Sequence, residues 1–373
     1  MASIPSDVHI IDIRAKRNRA NDGPNLRDQI AAGLSKPTGQ KTLPSILVYD
    51  ERGLRLFDDI SQKAPEYYLF PAEESILRRH GEDIAQAMLM HAVEEGNIPG
   101  GGTLVELGAG ALRKTSLILL ALAGLVSPSS LSPITYYALD LEERELVRTL
   151  KELNASAVGR QLQGRIPTRG LCGTYEEGFE FIPDQLTPRT SHNDRGRATS
   201  DEHLPLHLLF LGSSLGNFSR DDEAKFLRSL PLRVGCGDTL LLGLDRDNDP
   251  TVIEMAYNDP DGVNRAFVMN GLRNAGRVLG DEDLFADGKW AHVGKYNTEE
   301  RRHEASVQCL EQQTIAAPIG DTFSFESDEL IRIANSHKHS DIDSQRLFRA
   351  ANLQPIRRWT DSAQRYSLWL LER

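Results

Sequence analysis

Two glycines, a lysine and an aspartate are the groups in this sequence best placed to hold a small polar ligand. The apolar run Thr103-Leu104-Val105-Glu106-Leu107 ends in Gly108-Ala109-Gly110. Glycines there let a backbone approach a ligand that a Cβ would push away. The same residues also serve an ordinary strand-to-helix turn. Asp140 follows one strand-helix-strand unit later, where a carboxylate can accept both hydroxyls of a ribose or cap the next helix. Lys114, in the first turn after the glycines, can pair with a ligand carboxylate or stay in solvent. A dinucleotide asks for Gly-x-Gly-x-x-Gly, so that its pyrophosphate can rest on the helix N-terminus. The third position here is Arg113. The site therefore favours a ligand without a pyrophosphate, and S-adenosylmethionine fits better than a nicotinamide cofactor.

A second wall is written in Phe210-Leu211-Gly212-Ser213-Ser214-Leu215-Gly216-Asn217-Phe218. Its glycines and serines let backbone touch a substrate, and the Asn217 amide can both donate and accept; a turn asparagine is the competing reading. The histidines suggest a metal only weakly. His337 and His339 would share one face of a strand, but no Asp, Glu or Cys at ligand spacing completes a set with them or with His303. No Gly-x-Ser-x-Gly elbow is present, which disfavours covalent hydrolase chemistry.

The elements that must position these groups alternate. Strands are expected at 104–107, 134–140, 165–172, 206–211 and 239–244, with helices at 111–123, 141–153 and 219–230 between them. This rhythm predicts a parallel, doubly wound α/β sheet whose ligands sit at the carboxyl ends of the strands. Before it, the first hundred residues read as mainly helical, including a helix over 71–90. After it, 251–279 reads as helical with a break at Pro260-Asp261-Gly262, 291–326 as strands, and 347–373 as a helix plus a closing antiparallel strand pair. The expected organisation is 1–70 as the N-terminal part of a substrate domain, 71–250 as the sheet domain, 251–340 as a substrate-domain insertion and 341–373 as a return to the sheet. The polar stretch 187–205 reads as a surface insertion, and the basic segment 14–19 as a solvated arm.

Composition narrows the class. With 43 basic against 54 acidic residues the net charge is −11, which argues against a surface that tracks nucleic-acid phosphates. Three scattered cysteines with no CxxC pairing argue against structural zinc and a disulfide framework. No apolar run approaches the ~20 residues a membrane helix needs, so a cytoplasmic monomer acting on a small molecule is expected.

Several stretches together resemble the histidine-specific, S-adenosylmethionine-dependent methyltransferases of ergothioneine biosynthesis and their fungal relatives that methylate the α-amine of tryptophan or dimethylallyltryptophan. They are Lys41-Thr42-Leu43-Pro44 with Tyr49-Asp50, Pro65-Glu66-Tyr67-Tyr68, 104–110 with Arg113-Lys114-Thr115, Tyr136 to Asp140, Gly173-Thr174-Tyr175, Gly212 to Ser219, and Ala256-Tyr257-Asn258-Asp259. The resemblance implies a Rossmann-like class I methyltransferase sheet with a second, mixed α+β substrate domain. It implies that Tyr49, Gly108, Lys114 and Asp140 bind the cofactor, with Thr174 and Tyr175 near its adenine. It places Tyr67, Gly212, Asn217 and Tyr257 around the amino acid, Asn217 and Tyr257 on its carboxylate and Tyr67 facing its amine.

One departure bears on the substrate. Where the histidine enzymes carry a Glu-x-Ser-x-Lys segment against the imidazole, this chain reads Ala334-Asn335-Ser336-His337-Lys338. Ser336 is kept and Ala334 replaces the glutamate. Losing a charge-assisted partner costs an imidazole about 1.5–3 kcal/mol of recognition, and alanine opens room for a larger ring. The expected acceptor is L-tryptophan or an indole derivative of it, with histidine or dimethylallyltryptophan as the alternatives. A non-catalytic S-adenosylmethionine-binding subunit and a nicotinamide-dependent oxidoreductase are the rival classes.

Overall fold

The computed structural model describes residues 8–14, 25–95, 101–126, 134–187, 204–246, 248–285, 288–318 and 320–373. Most of the basic segment 14–19 and most of the polar stretch 187–205 lie outside the described residues.

The expected strands fold into the centre of one large sheet. β1 (Ile10–Asp12) is followed by three helices, α1 (Leu26–Leu34), α2 (Glu51–Lys63) and α3 (Leu69–Glu94). Then come β2 (Gly102–Leu107), α4 (Thr115–Leu125), β3 (Ile134–Asp140), α5 (Glu143–Ala155), α6 (Ala157–Leu162), β4 (Thr168–Cys172), α7 (Tyr175–Phe181), β5 (Leu206–Phe210), α8 (Arg220–Ser229) and β6 (Thr239–Asp245). β2, β5 and β6 are buried along their whole length, the signature of strands covered on both faces. The strand order is β1-β4-β3-β2-β5-β6-β13-β12. β1 to β6 run parallel, while β12 (Gln354–Thr360) and β13 (Tyr366–Glu372) close the edge as an antiparallel pair beside β6. That closing pair is as expected. The placement of β1 is not, because the first strand pairs with β4 at the far edge of this sheet instead of joining the substrate part.

The stretch after β6 supplies α9 (Pro250–Tyr257), α10 (Val263–Val278), β7 (Trp290–Asn297), β8 (Arg302–Cys309), β9 (Gln313–Ala316), β10 (Thr322–Phe325) and β11 (Leu330–His337), before α11 (Asp341–Ala350) leads back to the large sheet. The break between α9 and α10 falls at Gly262, whose φ of +70° suits a residue without a Cβ. β7, β8 and β11 form a separate antiparallel sheet, and β9 and β10 a two-stranded one. The N-terminal helices join this unit. Leu43 N–H donates to Arg332 O at 2.8 Å, Asn274 Nδ2 donates to Leu47 O at 2.7 Å, and a Lys41–Glu329 ion pair at 2.7 Å is buried between them.

One apolar cluster fills the far side of the large sheet, with Val105, Leu139, Phe210 and Leu242. The other runs from Ile76, Ile118 and Tyr136 on the near side into Val48, Phe267, Val307 and Ile333. The near-side core therefore continues into the second unit without a gap. Among the described residues no helix is long and apolar enough to cross a membrane.

Candidate active site

A cavity of about 490 Å³ opens where the carboxyl ends of the large sheet face the three-stranded sheet. Every residue expected at the site lines it except Lys114.

At the sheet end, Gly108 (φ +67°) and Gly110 (φ +54°) hold left-handed backbone, which an L side chain enters at a cost. A Cβ on Gly108 would come within 2.7 Å of the Tyr175 hydroxyl, whereas one on Gly110 would meet open space. The turn is therefore a cradle facing the cavity. Asp140 stands beside it. Its Oδ1 accepts the Leu141 N–H at 2.7 Å and its Oδ2 the Gly110 N–H at 3.3 Å. It braces its own turn instead of capping α5, which starts at Glu143 after Glu142. Burial raises the Asp140 carboxyl, against these backbone donors. Thr174 caps α7 in a reciprocal box with Glu177, and Tyr175 packs edge-on against Phe210 and Phe226. Thr174 and Tyr175 are fixed by α7 at the edge of the cavity.

Lys114 stands just outside the larger cavity. Its ammonium pairs with Glu73 of α3, a fully buried carboxylate that also accepts from Gly212 N–H at 3.0 Å and the Tyr366 hydroxyl at 2.9 Å. A buried carboxylate left without a cation is costly, so Lys114 is engaged in the fold. It lines a smaller neighbouring cavity of about 110 Å³ with Gly108, Asp140 and Gly212.

At the other end, Asn217 Nδ2 donates to the Tyr49 hydroxyl at 3.1 Å. The Tyr257 hydroxyl donates to Ser336 Oγ at 2.8 Å. Lys338 Nζ donates to both, at 2.8 Å to Tyr257 and 3.0 Å to Ser336, and pairs with Asp245 Oδ2 at 2.6 Å. Lys338 and Asp245 are fully buried. Burial lowers the lysine and raises the aspartate, while each draws the other back towards its charged form. Tyr68 adds a hydroxyl to Asp245 at 2.9 Å, and Asn248 Nδ2 donates to both. Tyr67 meets the Tyr257 ring edge-on at 5.7 Å. Burial pushes its phenol well above the ordinary value, so it stays neutral. His303 stacks on Tyr257 with centroids 4.0 Å apart.

Glu73, Asp245, Lys338 and Tyr68 escaped the sequence reading as a set. The one available signal was Asp245 itself, an acid ending a strand too apolar to be solvated. His337 and His339 lie behind the Asn217 turn, His337 Nδ1 at 3.0 Å from Gly216 O and His339 Nε2 at 3.2 Å from Glu223. Among the described residues no group of three His, Cys, Asp or Glu side chains is arranged to hold a metal ion.

The residues present fit S-adenosylmethionine. The glycine cradle leaves backbone open to a ligand, and the Asp140 carboxylate is one strand away for a ribose. The position that would have to be small for a pyrophosphate is Arg113, whose guanidinium turns to Asp58 at 2.9 Å.

The family model for "Histidine-specific methyltransferase, SAM-dependent" matches residues 26–373. The chain is 37% identical over 365 residues to the L-tryptophan methyltransferase trpM of Psilocybe serbica, covering 97% of this chain and 96% of that one. It is 35% identical over 372 residues to ergothioneine biosynthesis protein 1 of Neurospora crassa, covering 98% of this chain but 36% of that longer protein. It is 32% identical over 348 residues to the histidine N-alpha-methyltransferase of Mycobacterium tuberculosis, covering 92% and 94%. The chain is an S-adenosylmethionine-dependent N-methyltransferase. With its glycine cradle, Asp140 and Tyr49, Tyr67 and Tyr257 lining one cavity, and with residues 26–373 matched, it belongs to the histidine-specific, S-adenosylmethionine-dependent methyltransferase family.

Proposed function

We propose that the enzyme methylates the α-amino nitrogen of L-tryptophan or of an amino acid that keeps the indole ring. The observation that carries this reading is Ala334. It lines the cavity beside Ala305 and Ser336, so at this position the wall gives volume in place of a carboxylate. The relative called an L-tryptophan methyltransferase supports the same substrate class.

S-adenosylmethionine, when bound, supplies an electrophilic methyl group on a sulfonium. Gly108, Gly110, Asp140, Thr174 and Tyr175 would hold it, with Tyr49 between the two ends. Asn217 and Tyr257 would hold the carboxylate of the amino acid, and Gly212 would let it lie close to the backbone. Tyr67 would face the amine. A neutral phenol accepts a hydrogen bond from an amine N–H, which turns the nitrogen lone pair towards the reacting carbon. The ammonium proton must leave before transfer, and a phenol held this far above its ordinary value is no standing base, so that proton goes to solvent. Tyr49, Phe57, Phe267 and Tyr67 close the walls with edge-on and tilted contacts at 5.6–6.5 Å. Alignment in a water-poor site is the main source of rate here.

Histidine as acceptor has one observation in its favour. Ser336 Oγ receives hydrogens from both Tyr257 and Lys338, so it can only donate into the cavity, and an imidazole nitrogen would accept. The deciding experiment is a panel of tryptophan, 4-dimethylallyltryptophan, histidine, phenylalanine and tyrosine with S-adenosylmethionine, read by mass spectrometry. Methylated indole amino acids are the expected products. Methylated histidine without methylated tryptophan would sink the reading.

A further inference from the structure

The side-chain end of the cavity is built on the three-stranded sheet, whose register shows which residues share its inner face. Gly294 pairs with Ala305, and Ala305 pairs with Ala334, giving one row across β7, β8 and β11. His303 pairs with Ser336 in the next row on that face. Ala305 and Ala334, which line the cavity, make a low floor for a flat ring, with Gly294 at its edge beside Asn258.

His303 stands over one end of this floor. It is 2% exposed, lines the cavity, and its Nε2 has no hydrogen-bond partner. A Cβ on Gly294 would come within 2.9 Å of that nitrogen and 2.8 Å of Asn258 Oδ1, which places Nε2 on the face of the sheet that carries Ala305 and Ala334, with the Asn258 amide beside Gly294. The near-parallel stack on Tyr257, with planes 10° apart, fixes the plane of the ring. Burial, with Lys338 and His292 adding to it, holds the imidazole well below its ordinary pKa. It is neutral near pH 7, and with its hydrogen on Nδ1 the ring offers the Nε2 lone pair as an acceptor. Buried polar atoms are rarely left unpaired, so this one calls for a ligand group. Ser336, opposite, can only donate. An indole nitrogen carries a hydrogen, has no free lone pair, and needs an acceptor.

We propose that His303 accepts the ring N–H of the acceptor amino acid above the Ala305–Ala334 floor, and is the residue that selects an indole. The inference rests on the indole reading of the same site. Two other atoms at this end are also unpaired, His292 Nε2 and Asn335 Oδ1, but neither stands in the row facing Ser336.

The test compares kcat/KM for tryptophan and for 3-(benzothiophen-3-yl)alanine, in which sulfur replaces the ring N–H. The wild-type enzyme is expected to prefer tryptophan by about tenfold, the worth of one hydrogen bond with its buried partner left unpaired. His303→Phe keeps the stack and removes the lone pair. Its ratio should fall towards one, chiefly through a higher KM for tryptophan, whereas His292→Phe and Asn335→Leu keep the preference. Equal wild-type values for the two amino acids overturn the proposal without recourse to any variant. So does a preference that survives in His303→Phe or is lost only in His292→Phe or Asn335→Leu. In those cases turnover of tryptophan leaves the indole reading standing. A wild-type enzyme that methylates histidine and no indole amino acid overturns both.

Discussion

Single side chains decide what this cavity accepts. At Ala334 the chain departs from the Glu-x-Ser-x-Lys pattern of the histidine enzymes, and this residue lines the cavity. Ala334→Glu should move the ratio of kcat/KM for histidine over tryptophan up by about tenfold or more, the worth of a charge-assisted bond. An unchanged ratio in a competition assay would remove Ala334 as the reason for preferring an indole. Glu106 offers a test of a different kind. It is buried under the glycine cradle, holding the Thr115 hydroxyl at 2.7 Å and the Tyr136 hydroxyl, and burial raises its carboxyl from 4.5 to about 7 against those bonds. The native state therefore binds this proton more tightly than the unfolded chain does. Its stabilising contribution is full below 4.5 and is lost as pH rises through about 7. Relative to Glu106→Gln, the wild type should lose about 3 kcal/mol of stability between mildly acidic and mildly alkaline pH. Urea titrations of both proteins at several pH values check the sign and the window.

At the scale of elements, β6 and β11 meet through a charge. Asp245 ends the one and Lys338 follows the other, with Tyr68 from the approach to α3 completing the cluster. Lys338→Met should cost about 3–5 kcal/mol, because Asp245 is left buried without a cation. The double change Lys338→Met with Asp245→Asn should recover most of that loss in chemical denaturation. Equal losses in the two variants would mean that packing, and not charge, joins these elements. This cluster also marks what could and could not be read beforehand. The strands at 104–107, 134–140, 206–211 and 239–244 were legible because mostly apolar runs end in glycine or acid. β1 was not, since three residues become a strand only when β4 is there to pair with them. The loop groups Gly108, Asp140, Thr174 and Asn217 follow from the rule that parallel sheets bind at their carboxyl ends. The Lys114–Glu73 pair was not legible, because Glu73 sits in another helix at no telling spacing. For the same reason neither Asp245 nor Lys338 announced the other.

Taken whole, the molecule has two sheets that face each other across one cavity and a core shared between them. The apolar cluster runs from Ile118 and Tyr136 under the large sheet to Val307 and Ile333 in the small one. Units joined by a continuous core lose their packing together. Unfolding should therefore be a single transition in urea, with far-ultraviolet circular dichroism coinciding with the near-ultraviolet signal of Trp290 in the small sheet and Trp359 and Trp369 in the large one. An early loss of near-ultraviolet signal before any loss of helix would show that the second unit melts independently.

The row Gly294–Ala305–Ala334 has a consequence for descent. The groups that would grip the methyl donor stand on the large sheet, while this floor stands on the small one, whose strands are joined by main-chain bonds indifferent to side-chain identity. A duplicated gene can then exchange side chains along that row and acquire a different amino acid, leaving the donor cradle as it was. Paralogues that share a methyl donor and differ in what they methylate are what such a division of labour makes accessible in few mutational steps.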